Sequence, residues 1–266
     1  MKIIDLSGEY EGNYFVCLEE WSDELKEAGN HKENWYRKMK EKGLGVKLAL
    51  NEDKKPVGMI QYIPIEYSFV QGRDLYFVLC IWVHGYKNKG VGNYQKQGIG
   101  KALIQAAEID VKKRGSKGLV AWGVSLPVFM KALWFKKQGY AKVDKNGFLG
   151  QVLLWKPFSD DAIPPKWISS ETKPETDPNK VTVTASISGW CPAYNMVFER
   201  AKRASLELGE QVVFNEINTL NKEVPEELAF SDSLFVNRKK INTGPPPSYK
   251  KIRKKISREL KKIKIL

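Results

Sequence analysis

The chain reads as an α/β (α+β) protein in two parts, and three observations predict it. Leu75 to Val83 is an almost unbroken apolar run of the kind a central, doubly covered strand needs. Apolar residues at helical spacing follow from Ile99 to Arg114. A proline-rich stretch over residues 159–180 then interrupts the pattern, after which strand, helix and strand begin again. With 266 residues, 42% of them apolar, the chain is long enough for two cores.

Taken in order, Met1 to Leu6 is a short strand, and Tyr14 to Lys42 reads as helix broken near Gly29-Asn30. Three strands are expected at Gly45 to Leu50, Val57 to Tyr67 and Leu75 to His84, separated by the turn-rich residues 51–56 and 71–74. A glycine-rich segment leads into the helix starting at Ile99. A strand at Gly118 to Trp122, a helix at Pro127 to Gln138 stopped by Gly139, and a final strand pair ending at Trp155 complete a mixed twisted sheet with flanking helices over residues 1–158. Past the linker, over residues 181–266, Val181 to Ser186 is a strand, Tyr194 to Leu208 a helix and Gln211 to Ile217 a second strand. A short hairpin at Leu234 to Val236 and Lys240 to Asn242, then a helix from Tyr249, give a small βαββα plan.

The formal charge of +13 is unevenly spread: Val236 to Leu266 carries twelve Lys or Arg against Glu259 alone, which leaves +2 for the rest. Ile252, Ile256, Leu260 and Ile263 share one face of the last helix. That end is therefore read as a docked helix with a solvated basic face, an anionic partner standing as the alternative and nucleic acid as the less favoured one. Three scattered cysteines (Cys17, Cys80, Cys191) and two histidines supply neither a disulfide framework nor a metal-ligand set. The sequence has no apolar run of membrane-spanning length and no cleavable leader pattern, so a cytoplasmic place without membrane contact is expected.

The chemistry is concentrated between the apolar strand and the helix from Ile99. Gln95-Lys96-Gln97-Gly98-Ile99-Gly100 sits where a loop can aim several main-chain N–H groups and a helix dipole at an anion. Glycines at 98 and 100 let phosphate oxygens approach backbone that a Cβ would block. By itself such a glycine pattern is common. Its surroundings give it meaning: an apolar strand ending Cys80-Ile81-Trp82-Val83, then Gln95-x-x-Gly98-x-Gly100, a long helix, a strand, and Trp134-Phe135-Lys136-Lys137-Gln138-Gly139-Tyr140. That series resembles the signature of the GNAT superfamily of N-acetyltransferases, over about Met1 to Phe158. The glycine-rich Lys87 to Gly92, with no helical pattern behind it, is read as an insertion.

The resemblance implies acetyl-CoA as co-substrate and an amine as acceptor. Ile81, Trp82 and Val83 would hold the pantetheine arm and Gln95, Lys96, Gln97, Gly98, Ile99, Gly100 and Lys101 the pyrophosphate turn. The tyrosine that often serves the family as acid is replaced by Phe135, and the asparagine that often begins the same helix by Val128. His84, at the strand end, is the candidate catalytic residue, against the ordinary reading of a lone histidine as a packed one. Cys80 reads as structural, Tyr140 as core closure and Glu108 as solvated. The acidic Glu19, Glu20, Asp23, Glu24 and Glu27 would either draw a cationic amine or form a solvated face. Trp82, Trp122 and Trp134 would line the acceptor pocket or pack the core.

In the second part, Ser188-Gly189-Trp190-Cys191-Pro192-Ala193-Tyr194 follows a strand and opens a helix. It resembles the Trp-Cys-x-x-Cys turn of thioredoxin-like proteins with its second cysteine replaced by Tyr194, and Asp232-Ser233 stands where those proteins place a cis-proline. The pairing of both parts resembles bacterial acetyltransferases carrying a YoaP-like domain. Two functions compete: acetyl transfer to a primary amine in a ternary complex, and an acyl-CoA-binding sensor with a single-thiol or metal site at Cys191 and little turnover.

Overall fold

The computed structural model describes residues 1–125, 129–146, 150–168, 173–219 and 232–263. Val128 and the expected start of the helix at Pro127 lie outside them. Packing divides the chain into two compact units, Met1–Trp21 with Lys38–Ile168, and Ser22–Arg37 with Ser169–Leu266. Among the described residues no helix is long and apolar enough to cross a membrane.

The first unit is built on a seven-stranded sheet. Its elements are β1 (Lys2–Asp5), α1 (Glu11–Phe15), the end of α2 (His31–Lys40), β2 (Gly45–Leu50), β3 (Pro56–Pro64), β4 (Val70–Gln71) and β5 (Tyr76–Val83). After these come α3 (Ile99–Lys113), β6 (Gly118–Val124), α4 (Ala132–Lys137), β7 (Ala141–Asn146), β8 (Gln151–Pro157) and β9 (Lys166–Trp167). The strand order β1-β2-β3-β5-β6-β8-β7 puts the apolar run in the middle, where Phe77 and Val78 are fully buried. Only β5 and β6 run parallel; their connection is α3, which has buried Ile99, Leu103, Ile104, Ala107 and Val111. This is the expected mixed sheet with flanking helices.

Two segments differ from the sequence expectation. The helix from Tyr14 stops at Phe15, and Cys17 and Leu18 take left-handed φ values of 52° and 62°. Leu18, only 1% exposed, turns into the core without periodicity, so helical spacing is a poor guide there. The stretch before α2 is a 3-10 turn, Asp23–Ala28. The start of the expected linker is also not a free spacer: β9 pairs antiparallel with β4, and the Trp167 ring stacks on Phe69 at 5.9 Å with 6° between planes.

The second unit carries β10 (Val181–Ile187), α5 (Pro192–Glu207), β11 (Val212–Asn218), β12 (Leu234–Val236), β13 (Lys239–Ile241) and α6 (Tyr249–Ile263). Its sheet order is β11-β10-β12-β13, with β10 and β11 parallel and the hairpin antiparallel. Ile252, Ile256 and Leu260 of α6 join Val183, Ala185, Phe198 and Ala201 in one core, so the apolar stripe is docked while its lysines face outward. The unit also takes in Ser22–Arg37. Arg200, 4% exposed, donates to Glu27 at 2.9 Å, to Glu24 at 3.2 Å and to the Pro247 carbonyl at 3.2 Å. His31 meets Glu199 at 2.6 Å. Two of the five acidic residues, Glu24 and Glu27, thus supply the counter-charge for one buried guanidinium, Glu27 from a half-buried position and Glu24 from an exposed one.

Candidate functional site

The site begins with a loss of pairing. β5 matches β6 at Tyr76, Phe77 and Val78, opposite Leu119, Val120 and Ala121, and no further. On its other side β5 stays paired with β3 as far as Val83, across an irregularity at Leu79. Antiparallel strands alternate which residues face the partner. His84 donates its main-chain N–H to Val57 at 2.9 Å, so in this register Trp82 and Cys80 address β3, while Ile81 and Val83 turn their main-chain groups to the side that β6 has left. Two of the carbonyls on that side are taken by side chains: Leu79 accepts from Trp122 Nε1 at 2.9 Å and Val83 from Gln95 Nε2 at 3.3 Å. What is left is an open V with main-chain groups of Ile81 and Val83 along one wall.

The helix mouth lies next in the chain. Gly98 is the N-cap of α3, left-handed at φ 80°, with no side-chain cap, which leaves the first amides of a 15-residue helix without a side chain covering them. A Cβ at Gly98 would meet nothing within 4 Å, whereas one at Gly100 would come 3.2 Å from the Trp134 ring. The approach is organised by Asn93, whose Oδ1 accepts from the Gln95 amide at 2.9 Å and whose carbonyl accepts from Gln97 Nε2 at 3.3 Å. Gln95 and Gln97 therefore shape the turn, and Lys96, Ile99 and Lys101 flank it, with both lysines exposed. A glycine cradle with uncapped amides fits a pyrophosphate.

His84 is 1% exposed and both ring nitrogens have neighbours. Nδ1 lies 2.9 Å from the Gly92 carbonyl, which makes it the protonated nitrogen, and Nε2 lies 3.5 Å from the Trp21 indole nitrogen. Tyr140 is closed off, its hydroxyl donating to Glu108 at 3.1 Å; burial and that carboxylate push the phenol well above its ordinary range. Glu108 also holds Lys156 at 2.9 Å, and at 8% exposure it is a core partner, not a solvated residue. Phe135 is fully buried between Trp134 and Tyr140. Of the three tryptophans singled out in the sequence, Trp82 and Trp122 border the open V, and Trp134 backs the helix mouth.

Sequence reasoning missed Trp21, Tyr86 and Phe129. Trp21 and Tyr86 meet edge to face at 5.1 Å, Trp82 lies 6.2 Å from Tyr86 and 6.4 Å from Phe129, and Trp122 lies 6.1 Å from Phe129. They come from separate loops and carry no shared period. The one signal in the sequence is that Trp21 directly follows acidic Glu19 and Glu20.

A search against curated proteins found no match. Solved structures of similar fold include a GNAT-family acetyltransferase from Staphylococcus aureus, 16% identical with a TM-score of 0.45, covering 59% of this chain and 99% of that one. A putative GNAT-family acetyltransferase from Desulfovibrio desulfuricans is 14% identical at 0.46, covering 59% and 99%. PaiA N-acetyltransferase from Thermoplasma acidophilum, in complex with coenzyme A, is 18% identical at 0.42, covering 59% and 100%. The profile of the acetyltransferase (GNAT) family matches residues 6–140, half of the chain, spanning the open V, the helix mouth and the closure at Tyr140, and the chain belongs to that family.

Proposed function

We propose that the chain transfers an acetyl group from acetyl-CoA to a primary amine by direct attack within a ternary complex. The observation that carries this reading is the pair of features joined by residues 84–98: strand β5 freed from β6 after Val78, and the uncapped mouth of α3 behind left-handed Gly98. Acetyl-CoA supplies an activated thioester. The amides of Gly98 to Lys101 hold its pyrophosphate and the free edge at Ile81 and Val83 its pantetheine arm, with Trp82 contributing its ring. Donors fixed along that edge meet the negative charge that gathers on the thioester oxygen as the amine adds. His84, its Nδ1 tied to Gly92, keeps the lone pair on Nε2, and giving up the long contact to Trp21 frees it to take the amine proton. Phe135 cannot return a proton to the departing thiolate; solvent at the open V does so.

The second unit we read as thioredoxin-like and YoaP-like. Support comes from its β11-β10-β12-β13 order and from Cys191 as N-cap of α5, outside any disulfide. The outward lysines of α6 we read as a solvated face. Single, unbridged thiols fit a cytoplasmic setting. Phe135 favours the rival reading, a sensor that binds acyl-CoA with little turnover.

Calorimetry with coenzyme A tests the reading. Gly98→Glu sets a carboxylate against the pyrophosphate, and affinity is expected to fall by about 100-fold, as a like-charge contact of several kcal/mol requires. Affinity equal to the parent's would remove the acetyl-CoA site from this loop. Release of free CoA with a panel of primary amines separates enzyme from sensor.

A further inference from the structure

The excursion between β5 and α3, residues 85–93, is a glycine-rich segment that the coenzyme site leaves unused. Its neck closes through a bridge between Gly85 and Asn93, and Tyr94 donates to the His84 carbonyl at 2.8 Å. It is held down from below. The Gly92 carbonyl sits on His84 Nδ1, and Gly90, at φ 55°, lies so close that an added Cβ would stand 2.7 Å from the Trp21 ring and 2.8 Å from His84. The excursion thereby lays Lys89 across the aromatic wall: its ammonium is 4.9 Å from the Trp21 ring centroid. Lys89 is exposed, and it is also the cation that most favours the charged form of Glu19, whose carboxyl burial otherwise drives upward. Glu19 in turn acts on Tyr86, the ring packed edge to face on Trp21.

A tryptophan face, a tyrosine edge and a carboxylate losing its water are the parts of an ammonium receptor. In this structure the chain's own lysine fills it. We propose that this wall, formed by Trp21, Tyr86, Trp82 and Glu19, is the acceptor subsite, that it selects a cationic primary alkylamine, and that Lys89 is an internal occupant which the acceptor displaces. The proposal rests on the acetyl-transfer reading for the identity of the reacting amine. It does not rest on it for the ammonium site.

Several features follow from this assignment. The subsite begins at the end of β5, next to His84 and the free edge at Val83, where an amine must stand to reach a thioester lying along that edge. Recognition by a ring face needs charge, while attack needs the neutral amine, so His84 beside the wall is placed to take the proton once the ammonium is seated. A flexible, exposed lysine is a weak occupant, since its release costs one cation–π contact and returns a strongly hydrated ammonium to water. The subsite therefore discriminates against arylamines, which are uncharged near neutral pH, and against anionic amines, which meet Glu19.

The test uses choline, which carries the charge but has no N–H to lose and so cannot be N-acetylated, and its neutral isostere 3,3-dimethylbutan-1-ol, each titrated into the full chain with tryptophan fluorescence as readout. The ammonium is expected to bind at least about tenfold tighter than the alcohol. Lys89→Gln should tighten the ammonium roughly threefold or more, and Trp21→Leu weaken it by about tenfold. Tyr86→Ala, at a residue already 39% exposed, repeats the loss at a position whose truncation spares the core. Equal binding of ammonium and alcohol, or parent-like binding in both Lys89→Gln and Tyr86→Ala, overturns the proposal. Gly98→Glu should leave ammonium binding unchanged, so that a failed coenzyme site and a failed ammonium site are separate results. In turnover, Lys89→Gln is expected to lower the KM for butylamine and leave that for acetyl-CoA in place.

Discussion

Helices α3 and α5 both start where a strand hands over to a helix through a glycine-bearing turn, yet their first amides are left to do different things. At α3 the cap is left-handed Gly98, no side chain covers the mouth, and space is open around the cap. At α5 the cap is Cys191, and Pro192 at the first position removes one donor outright. The turn before it is filled. Gly189, at φ 98°, is pressed so close to α2 that a Cβ would stand 2.7 Å from the His31 carbonyl and 2.9 Å from the Trp35 side chain. Asp232 receives the Ser188 amide and hydroxyl at 2.8 Å each. Asn195, fully buried, reaches back to the Gly189 carbonyl at 3.0 Å. The same helix dipole exists at both mouths and neither cap makes a side-chain hydrogen bond; what differs is the room in front of them, open at Gly98 and filled at Gly189.

Placing alanine at each glycine sharpens that contrast most. Gly189→Ala must both hold a left-handed φ and displace backbone, and is expected to cost about 3 kcal/mol or more of the second unit's stability in denaturant unfolding. An unchanged midpoint would mean that the turn is not packed as described.

The next effect is one of pH. Burial raises the Asp232 carboxyl to about 6, against the hydrogen bonds from Ser188 and Trp190 that favour its anion. A carboxyl with a folded value above its unfolded one, about 3.9, holds its proton better when folded. Stability is then highest below pH 4 with respect to this group and falls as pH rises to 6, by roughly 2 kcal/mol. Asp232→Asn should flatten that part of the stability profile; a profile identical to the parent's would put the titration elsewhere. The smallest effect is expected from Gly98→Ala, whose left-handed strain, with no clash, should lower unfolding stability by about 1 kcal/mol, while the added Cβ over the phosphate cradle lowers coenzyme affinity several-fold.

The central strand was legible because burial on both faces leaves a continuous apolar run, and the helix mouth because glycine is the residue that a left-handed cap requires. His84 was singled out by its place at the end of that run. The aromatic wall was not, since Trp21, Tyr86 and Phe129 come from three loops, and contact across loops leaves no period in a sequence. Nor was the pairing of Glu24 and Glu27, which is set by Arg200, a residue far along the chain that the fold brings beside them. Glu108 failed for the same reason, its partners Tyr140 and Lys156 being remote. In the helix after Tyr14, apolar residues at near-helical intervals were buried by turns at Cys17 and Leu18, where pattern and conformation part company.

The ion pairs of Arg200 also set an order of events at the ribosome. Ser22–Arg37 emerges early, but the helix that completes its packing, Pro192–Glu207, is synthesised more than 150 residues later. At ordinary translation speeds that is a wait on the order of ten seconds. During it, Trp35 and Tyr36, later 3% and 4% exposed, have no finished core to enter, so nascent chains stalled before Pro192 should be the ones that call on chaperones.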